Sequence, residues 1–290
     1  MRAAFTRYLF VSLTFIVVLI VLIEISLAWG FVWFLMHPGC SSDHLSLPEQ
    51  VVEVWLQVRE GVQLRAWYST PYNGVVIISL GGLEGALGDN LPPVQFLVEQ
   101  GYGALQIDSR ACARPAQSVT LGGREAEEVA AALDYLHGRK EVRWVGIIGY
   151  SMGGAAALRA AAMYPDIAAV VAEGGFYNLG EDIIEADSEE PIFKRIFLYT
   201  IAGMFWLQSG ENPWEISPIE ALPEISPRPV FLIYGEYEVF SGRAQAQFEA
   251  AKEPRSLWVV PGSGHGQNYQ LAGKQYEQRV LEFFDQALLR

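Results

Sequence analysis

Apolar positions follow three different rhythms along this chain, and each predicts a different kind of element. From Tyr8 to Met36 nearly every residue is apolar, and Glu24 alone is ionisable. A helix of that length, at about 1.5 Å per residue, outlasts the ~30 Å of hydrocarbon in a bilayer. Residues 37–50 are polar and turn-rich, which suits a linker. Val51–Val58 and Val62–Tyr68 then alternate apolar with polar residues about Glu60-Gly61, a pattern that predicts an antiparallel hairpin at a sheet edge. Val75–Leu80 is continuously apolar and rich in β-branched residues, as a strand buried on both faces should be.

Further strands are predicted at Gly103–Ile107, Trp144–Ile148, Ile167–Ala172, Pro229–Tyr234 and Leu257–Val260. Helical periodicity marks Pro92–Gln100, Glu125–His137, Ala155–Met163, Ala244–Lys252 and Tyr269–Leu289 between and after them. Such alternation argues for a mostly parallel sheet with helices on both faces. Phe176–Ser226 breaks the alternation: it carries no strand pattern and holds Phe193, Phe197, Tyr199, Phe205, Trp206 and Trp214. This interruption reads as a helical lid laid across the carboxyl ends of the strands, where open α/β sheets hold their sites. Most of its aromatics are expected in the core. The organisation that results is an anchor at 1–36, a linker at 37–50 and an α/β domain at 51–290, with the lid at about 176–226.

Composition changes this picture mainly at the start of the chain. Hydrophobic residues make up 51% of the 290, and the mean hydropathy of +0.19 is carried largely by the first forty. A cleaved signal peptide is the competing reading, with Arg2 and Arg7 ahead of the apolar run and Ser26-Leu27-Ala28 as small residues at a cleavage site. The run continues through Trp29–Leu35, which favours a retained single-pass anchor. No Lys or Arg follows it until Arg59, so the positive-inside rule leaves the folded domain outside the cytoplasm. Glu24 is either a functional intramembrane acid or, on the reading preferred here, a residue near the interface.

The formal charge is −13; leaving out Arg2, Arg7 and Glu24 takes 20 basic and 33 acidic residues to 18 and 32, hence −14. A domain so acidic is repelled by nucleic acid and by anionic lipid, so no nucleic-acid partner is expected. Cys40 and Cys112 stand alone, without metal-ligand spacing; they are either a disulfide or two thiols. Neither a metal nor a cofactor is implied.

The candidate chemistry centres on Gly149-Tyr150-Ser151-Met152-Gly153-Gly154. It joins a predicted strand to a predicted helix, and glycines flank the serine two residues away on each side. That is the pattern of a nucleophile elbow, a turn too tight for side chains at the flanking positions. A serine hydroxyl needs a base to take its proton and a group to orient that base. Of the four histidines, His37 and His44 lie in the linker and His137 ends a helix. His265, in Pro261-Gly262-Ser263-Gly264-His265-Gly266 after the last strand, is placed to reach the elbow. The orienting acid should follow the preceding strand, where Glu236 and Glu238 both qualify. Backbone donors for an oxyanion are expected from Met152 and from Leu83 or Gly82 in the loop after Val75–Leu80.

These motifs, together with Tyr164-Pro165-Asp166, Pro227-Arg228-Pro229-Val230, and Val119-Thr120-Leu121-Gly122 with Glu125, give the chain from about Val51 onward a clear resemblance. It resembles the α/β-hydrolases, in particular their serine-aminopeptidase-like and prolyl-oligopeptidase-like branch. The resemblance implies an eight-stranded, mostly parallel sheet. It implies a catalytic triad of Ser151, His265 and Glu238, the acid falling three residues after Gly235. It also implies hydrolysis of a small acyl substrate through an acyl-enzyme. Two departures stand out: Gly81-Gly82 where the family usually has His-Gly, and Arg110-Ala111-Cys112-Ala113 where it usually has Arg-Gly-His-Gly. An ester is the preferred substrate. An aminopeptidase, with Glu84, Glu173 or the acidic run at 181–190 holding an amine, and an acyltransferase are enzymatic rivals; a tethered binding domain is the non-enzymatic one.

Overall fold

In a computed structural model, residues 2–40, 51–58, 61–83, 94–185 and 191–289 are described. The apolar N-terminal run forms one helix, α1 (Arg2–Met36). The domain is built on a single sheet of eight strands: β1 (Val51–Gln57), β2 (Gln63–Ser69), β3 (Val75–Leu80), β4 (Gly103–Ile107), β5 (Trp144–Tyr150), β6 (Ile167–Glu173), β7 (Val230–Gly235) and β8 (Arg255–Val260). Their order is β1-β2-β4-β3-β5-β6-β7-β8. β2 runs antiparallel to both β1 and β4, and every pairing from β4 to β8 is parallel. The alternating hairpin therefore sits at an edge, and the continuous apolar run of β3 is central and wholly buried.

The helices are α2 (Gln95–Glu99), α3 (Arg124–Glu127), α4 (Val129–His137), α5 (Met152–Met163), α6 (Leu179–Ile184), α7 (Ile192–Ser209), α8 (Pro218–Ile225), α9 (Ala244–Ala250), α10 (Asn268–Ala272) and α11 (Lys274–Leu288). Helices α4, α5, α8 and α9 bury one face of the sheet, while α2 and α11 bury the other. On α11 the stripe Tyr276, Val280, Phe284 and Leu288 recurs every fourth residue and is fully packed. Each such side chain contributes about 1.5–3 kcal/mol by leaving water.

Four expectations are corrected in detail. The helix predicted over Glu125–His137 divides at Glu128, and that over Tyr269–Leu289 divides at Gly273, whose φ of +46° suits glycine. The lid aromatics are not mainly core: Phe205 is buried, but Phe193, Tyr199 and Trp206 are at least half exposed. The helix after the elbow begins at Met152, earlier than Ala155, because the glycines join its first turn. Residues 41–50 of the linker, the hairpin residue Glu60, Glu84, and residues 186–190 of the acidic run lie outside the described residues.

Cys40 and Cys112 form a disulfide, which ties the chain just beyond α1 to the loop after β4. Val119 N–H donates to Met36 O at 2.8 Å, and Val32 and Met36 pack with Leu179, Phe205 and Ile216. The end of α1 is thus fastened to the domain covalently, by backbone and by side chains. The Arg110–Ala113 departure from the family pattern sits at this staple.

Candidate active site

β5 delivers Ser151 to the carboxyl edge of the sheet, and the turn into α5 holds it at φ +54°, ψ −120°. For a residue with a side chain this backbone costs of order 1–3 kcal/mol. Surrounding contacts hold it there: Ser151 N–H donates to Glu173 O at 2.7 Å, and Gly154 N–H to Ser151 O at 3.0 Å. The glycines have a steric reason. A Cβ on Gly149 would overlap the carbonyl of Gly153, and one on Gly153 would overlap the carbonyls of Leu80 and Gly81.

His265 hangs from the loop between β8 and α10, and Glu238 from a 3-10 turn (Glu236–Glu238) directly after β7. The two loops are laced together, Tyr237 N–H donating to Ser263 O at 2.9 Å and Gly262 N–H to Glu236 Oε2 at 2.7 Å. That lacing separates the two glutamates. Glu236 faces the backbone of the histidine loop, whereas the buried Glu238 turns Oε2 to His265 Nδ1 at 2.6 Å. Its other oxygen accepts from Gly235 N–H at 2.7 Å. His265 Nε2 lies 2.9 Å from Ser151 Oγ. Ser151, His265 and Glu238 are therefore joined in one hydrogen-bonded line, with the Nδ1–H tautomer donating to the carboxylate and the serine hydroxyl to Nε2. The imidazole is held protonated more readily than a free one, chiefly through its bond to Glu238, aided by the charges of Glu238 and Glu173 and opposed by burial.

Gly82 lies against the elbow: a Cβ there would come within 3.5 Å of Ser151 Cβ and 3.3 Å of the Tyr150 ring. Gly82 and Met152 line one cleft together with Asp108 and Arg110. Leu83 follows Gly82 and is half-buried. The His265 side chain is about 50% exposed, so the serine–histidine edge is open to solvent.

Under the aminopeptidase alternative, Glu173 is one candidate to hold a substrate amine. The structure places it elsewhere: it ends β6, 1% exposed, with Asn268 Nδ2 donating to one oxygen at 2.9 Å and Tyr276 OH to the other at 2.7 Å. Burial raises its carboxyl to about 7. Gly174, next in the chain, has φ +60°, and a Cβ on it would press on Glu238 Oε2 and the His265 ring at 3.2 Å. Asn268, Tyr276 and Gly174 form a backing to the site that the motifs did not reveal. An acid ending the otherwise apolar run Ile167–Ala172 was the available signal.

Residues 93–290 match the Prolyl oligopeptidase family, and this span covers the elbow, the acid and the histidine. The chain belongs to the prolyl oligopeptidase family. Among curated proteins, an uncharacterized protein of Pseudomonas aeruginosa is 24% identical over 298 residues, covering 79% of each chain. The 2,6-dihydropseudooxynicotine hydrolase of Paenarthrobacter nicotinovorans is 25% identical over 167 residues, 57% of this chain and 42% of that one. Among solved structures, an esterase of Pyrococcus furiosus superposes with a TM-score of 0.65 at 22% identity, covering 82% of this chain and 91% of the other. This prolyl oligopeptidase family member has the α/β-hydrolase fold and is a serine hydrolase.

Proposed function

We infer that the protein is a membrane-anchored esterase that cleaves carboxylic esters through Ser151, His265 and Glu238. The observation that carries the reading is the unbroken line from Ser151 Oγ through the imidazole to the buried carboxylate, at 2.9 and 2.6 Å. In the first step His265 Nε2 takes the hydroxyl proton as Oγ forms a bond to the ester carbonyl carbon. Glu238 holds Nδ1–H and balances the imidazolium that results. Backbone N–H groups of Met152 and of Gly82 or Leu83 receive the oxyanion. Collapse of the tetrahedral adduct breaks the bond to the alkoxy group, which leaves with the proton from Nε2. Water then adds to the acyl-enzyme, with His265 taking its proton, and the freed acid departs as Ser151 regains its hydrogen.

The choice of ester over amino-terminal peptide is supported by the fate of the acids. Glu173 is engaged by Asn268 and Tyr276, and Glu181 and Glu185 pair with Arg243. These acids are therefore committed to contacts within the protein. The family match keeps a peptide substrate as the second reading. A panel of nitrophenyl esters and aminoacyl arylamides decides between them: faster turnover of the esters is expected, and faster turnover of the arylamides overturns the choice.

The anchor is supported by α1, whose run Phe5–Met36 is apolar with its most hydropathic stretch wholly uncovered by the domain. Arg2 and Arg7 before it, and a disulfide suited to an oxidising compartment, support a domain outside the cytoplasm.

A further inference from the structure

Helix α7 presents two faces of different character. Ala202, Phe205 and Ser209 are buried, with Phe205 packed against Val32 and Met36 of α1. An adjoining face carries Ile192, Ile196, Tyr199, Gly203, Trp206 and Leu207, at i, i+4, i+7, i+11, i+14 and i+15, a single uncharged stripe along the helix. All five of its side chains are half or more exposed. Burying one such side chain stabilises by about 1.5–3 kcal/mol, so a stripe of five left in water is a large unexploited surface.

What covers it is indicated by α1. Glu24 Oε1 accepts from Thr200 Oγ1 at 3.1 Å, and Trp29 O accepts from Gln208 Nε2 at 3.0 Å. Residue numbers rise together along both helices, so they run parallel. The turns of α7 before Thr200 therefore project towards the part of α1 before Glu24, the part assigned above to the bilayer. Ile192 lies eight residues before Thr200, about 12 Å along the helix axis. Trp29 and Trp33 on α1 and Tyr199 and Trp206 on α7 are all exposed, as aromatics at a membrane interface are. Arg195 lies off the stripe, on a stem long enough to carry its charge back towards headgroups.

We propose that α7 is seated in the outer leaflet beside α1, with Ile192, Ile196 and Tyr199 of its stripe against lipid acyl chains and Trp206 and Leu207 at the interface, so that the substrate is an acyl ester drawn from the bilayer. The proposal rests on the anchoring of α1 and on the esterase reading, and it adds a second lipid-seated element to the first. A short path links that seat to the chemistry. Arg124 Nε, at the start of α3, donates to Glu211 Oε1 at 3.0 Å just past the end of α7, and two residues before Arg124 a Cβ on Gly122 would come within 3.5 Å of Met152 O.

The test uses the full chain in phosphatidylcholine vesicles, spin-labelled singly at Ile16→Cys, Ile196→Cys or Tyr72→Cys, the last on an exposed turn of the domain. Labels at Ile16 and Ile196 should both collide with oxygen and be shielded from an aqueous nickel complex, while the label at Tyr72 should meet the nickel. Ile16 in lipid with Ile196 in water overturns the seat of α7 and leaves the anchor standing. Both in water overturns the anchor and the seat together. A label at Ile196 shielded from both quenchers means that a second copy covers the stripe, which also refutes the proposal. As a functional arm, Ile192→Asp/Ile196→Asp should lower turnover of a long-chain ester held in vesicles by about tenfold or more. Turnover of a soluble acetyl ester should be unchanged; equal loss on both substrates overturns the bilayer route without touching the assignment of the triad.

Discussion

Replacing Glu173 by glutamine should make the protein's stability less dependent on pH, and the size of the effect follows from where the carboxyl sits. Glu173 is 1% exposed at the end of β6, and burial lifts it from the model-compound value of 4.5 to about 7. Its hydrogen bonds to Asn268 and Tyr276 pull the other way but do not win. The folded chain therefore holds this proton where the unfolded chain has lost it. Stability from this group is fully present below about pH 4.5 and is lost as pH rises through about 7. Lifting the carboxyl from 4.5 to about 7 amounts to ~3 kcal/mol between those limits. For a domain of this size that is a melting shift of about 6 °C. Glutamine keeps the shape of the neutral acid and has nothing to ionise. Thermal melts of wild type and Glu173→Gln in detergent, at pH 5 and pH 8, should thus differ in slope: the wild type loses stability towards pH 8 relative to the variant. Taking the difference between the two pH values cancels any fixed cost of the amide. It also cancels groups common to both proteins, such as Glu128, which burial likewise raises to about 7. Parallel pH dependences for the two proteins would refute the argument that burial dominates at this site.

Glu238→Gln leaves an acceptor for Gly235 N–H but removes the charge that favours the imidazolium, so kcat on a nitrophenyl ester should fall by about 10³–10⁴, the scale seen when a triad acid is made an amide. A loss under tenfold means that Glu238 is not the orienting acid. The wild-type rate should rise with pH through a value above the ordinary histidine range, because the base must be neutral and His265 is held protonated. An acid limb at or below 6.5 contradicts that assignment. Gly149→Ala places a Cβ on the carbonyl of Gly153 and should abolish folding or activity; a variant with wild-type melting and turnover shows the elbow to be less tight than described.

Most of the sheet and two of the candidate site residues, Ser151 and His265, were legible because they are written in local sequence. An apolar β-branched run such as Val75–Leu80 has one stable place, the middle of a parallel sheet, and GxSxG at a strand's end encodes its own turn. Other features depend on what meets what in space. Glu236 and Glu238 are two residues apart and chemically identical, and only the lacing of their turn to the histidine loop tells which carboxylate reaches the imidazole. Glu173 reads as an available acid until Tyr276 and Asn268, about a hundred residues away, close over it. Helix α7 is apolar on nearly every face, so which of its aromatics stay exposed depends on α1, far back in the chain; Tyr199 and Trp206 are exposed where most lid aromatics were expected in the core. The pairing of Cys40 with Cys112 required the fold of the β4 loop.

The central claim is that Ser151 is a nucleophile made reactive by His265. It is tested most directly by treating the full chain with a fluorophosphonate probe and following covalent labelling in the wild type and in Ser151→Ala. The account predicts one labelled site, at Ser151, in the wild type and none in the variant. Failure of the wild type to label, or equal labelling of Ser151→Ala, would contradict it.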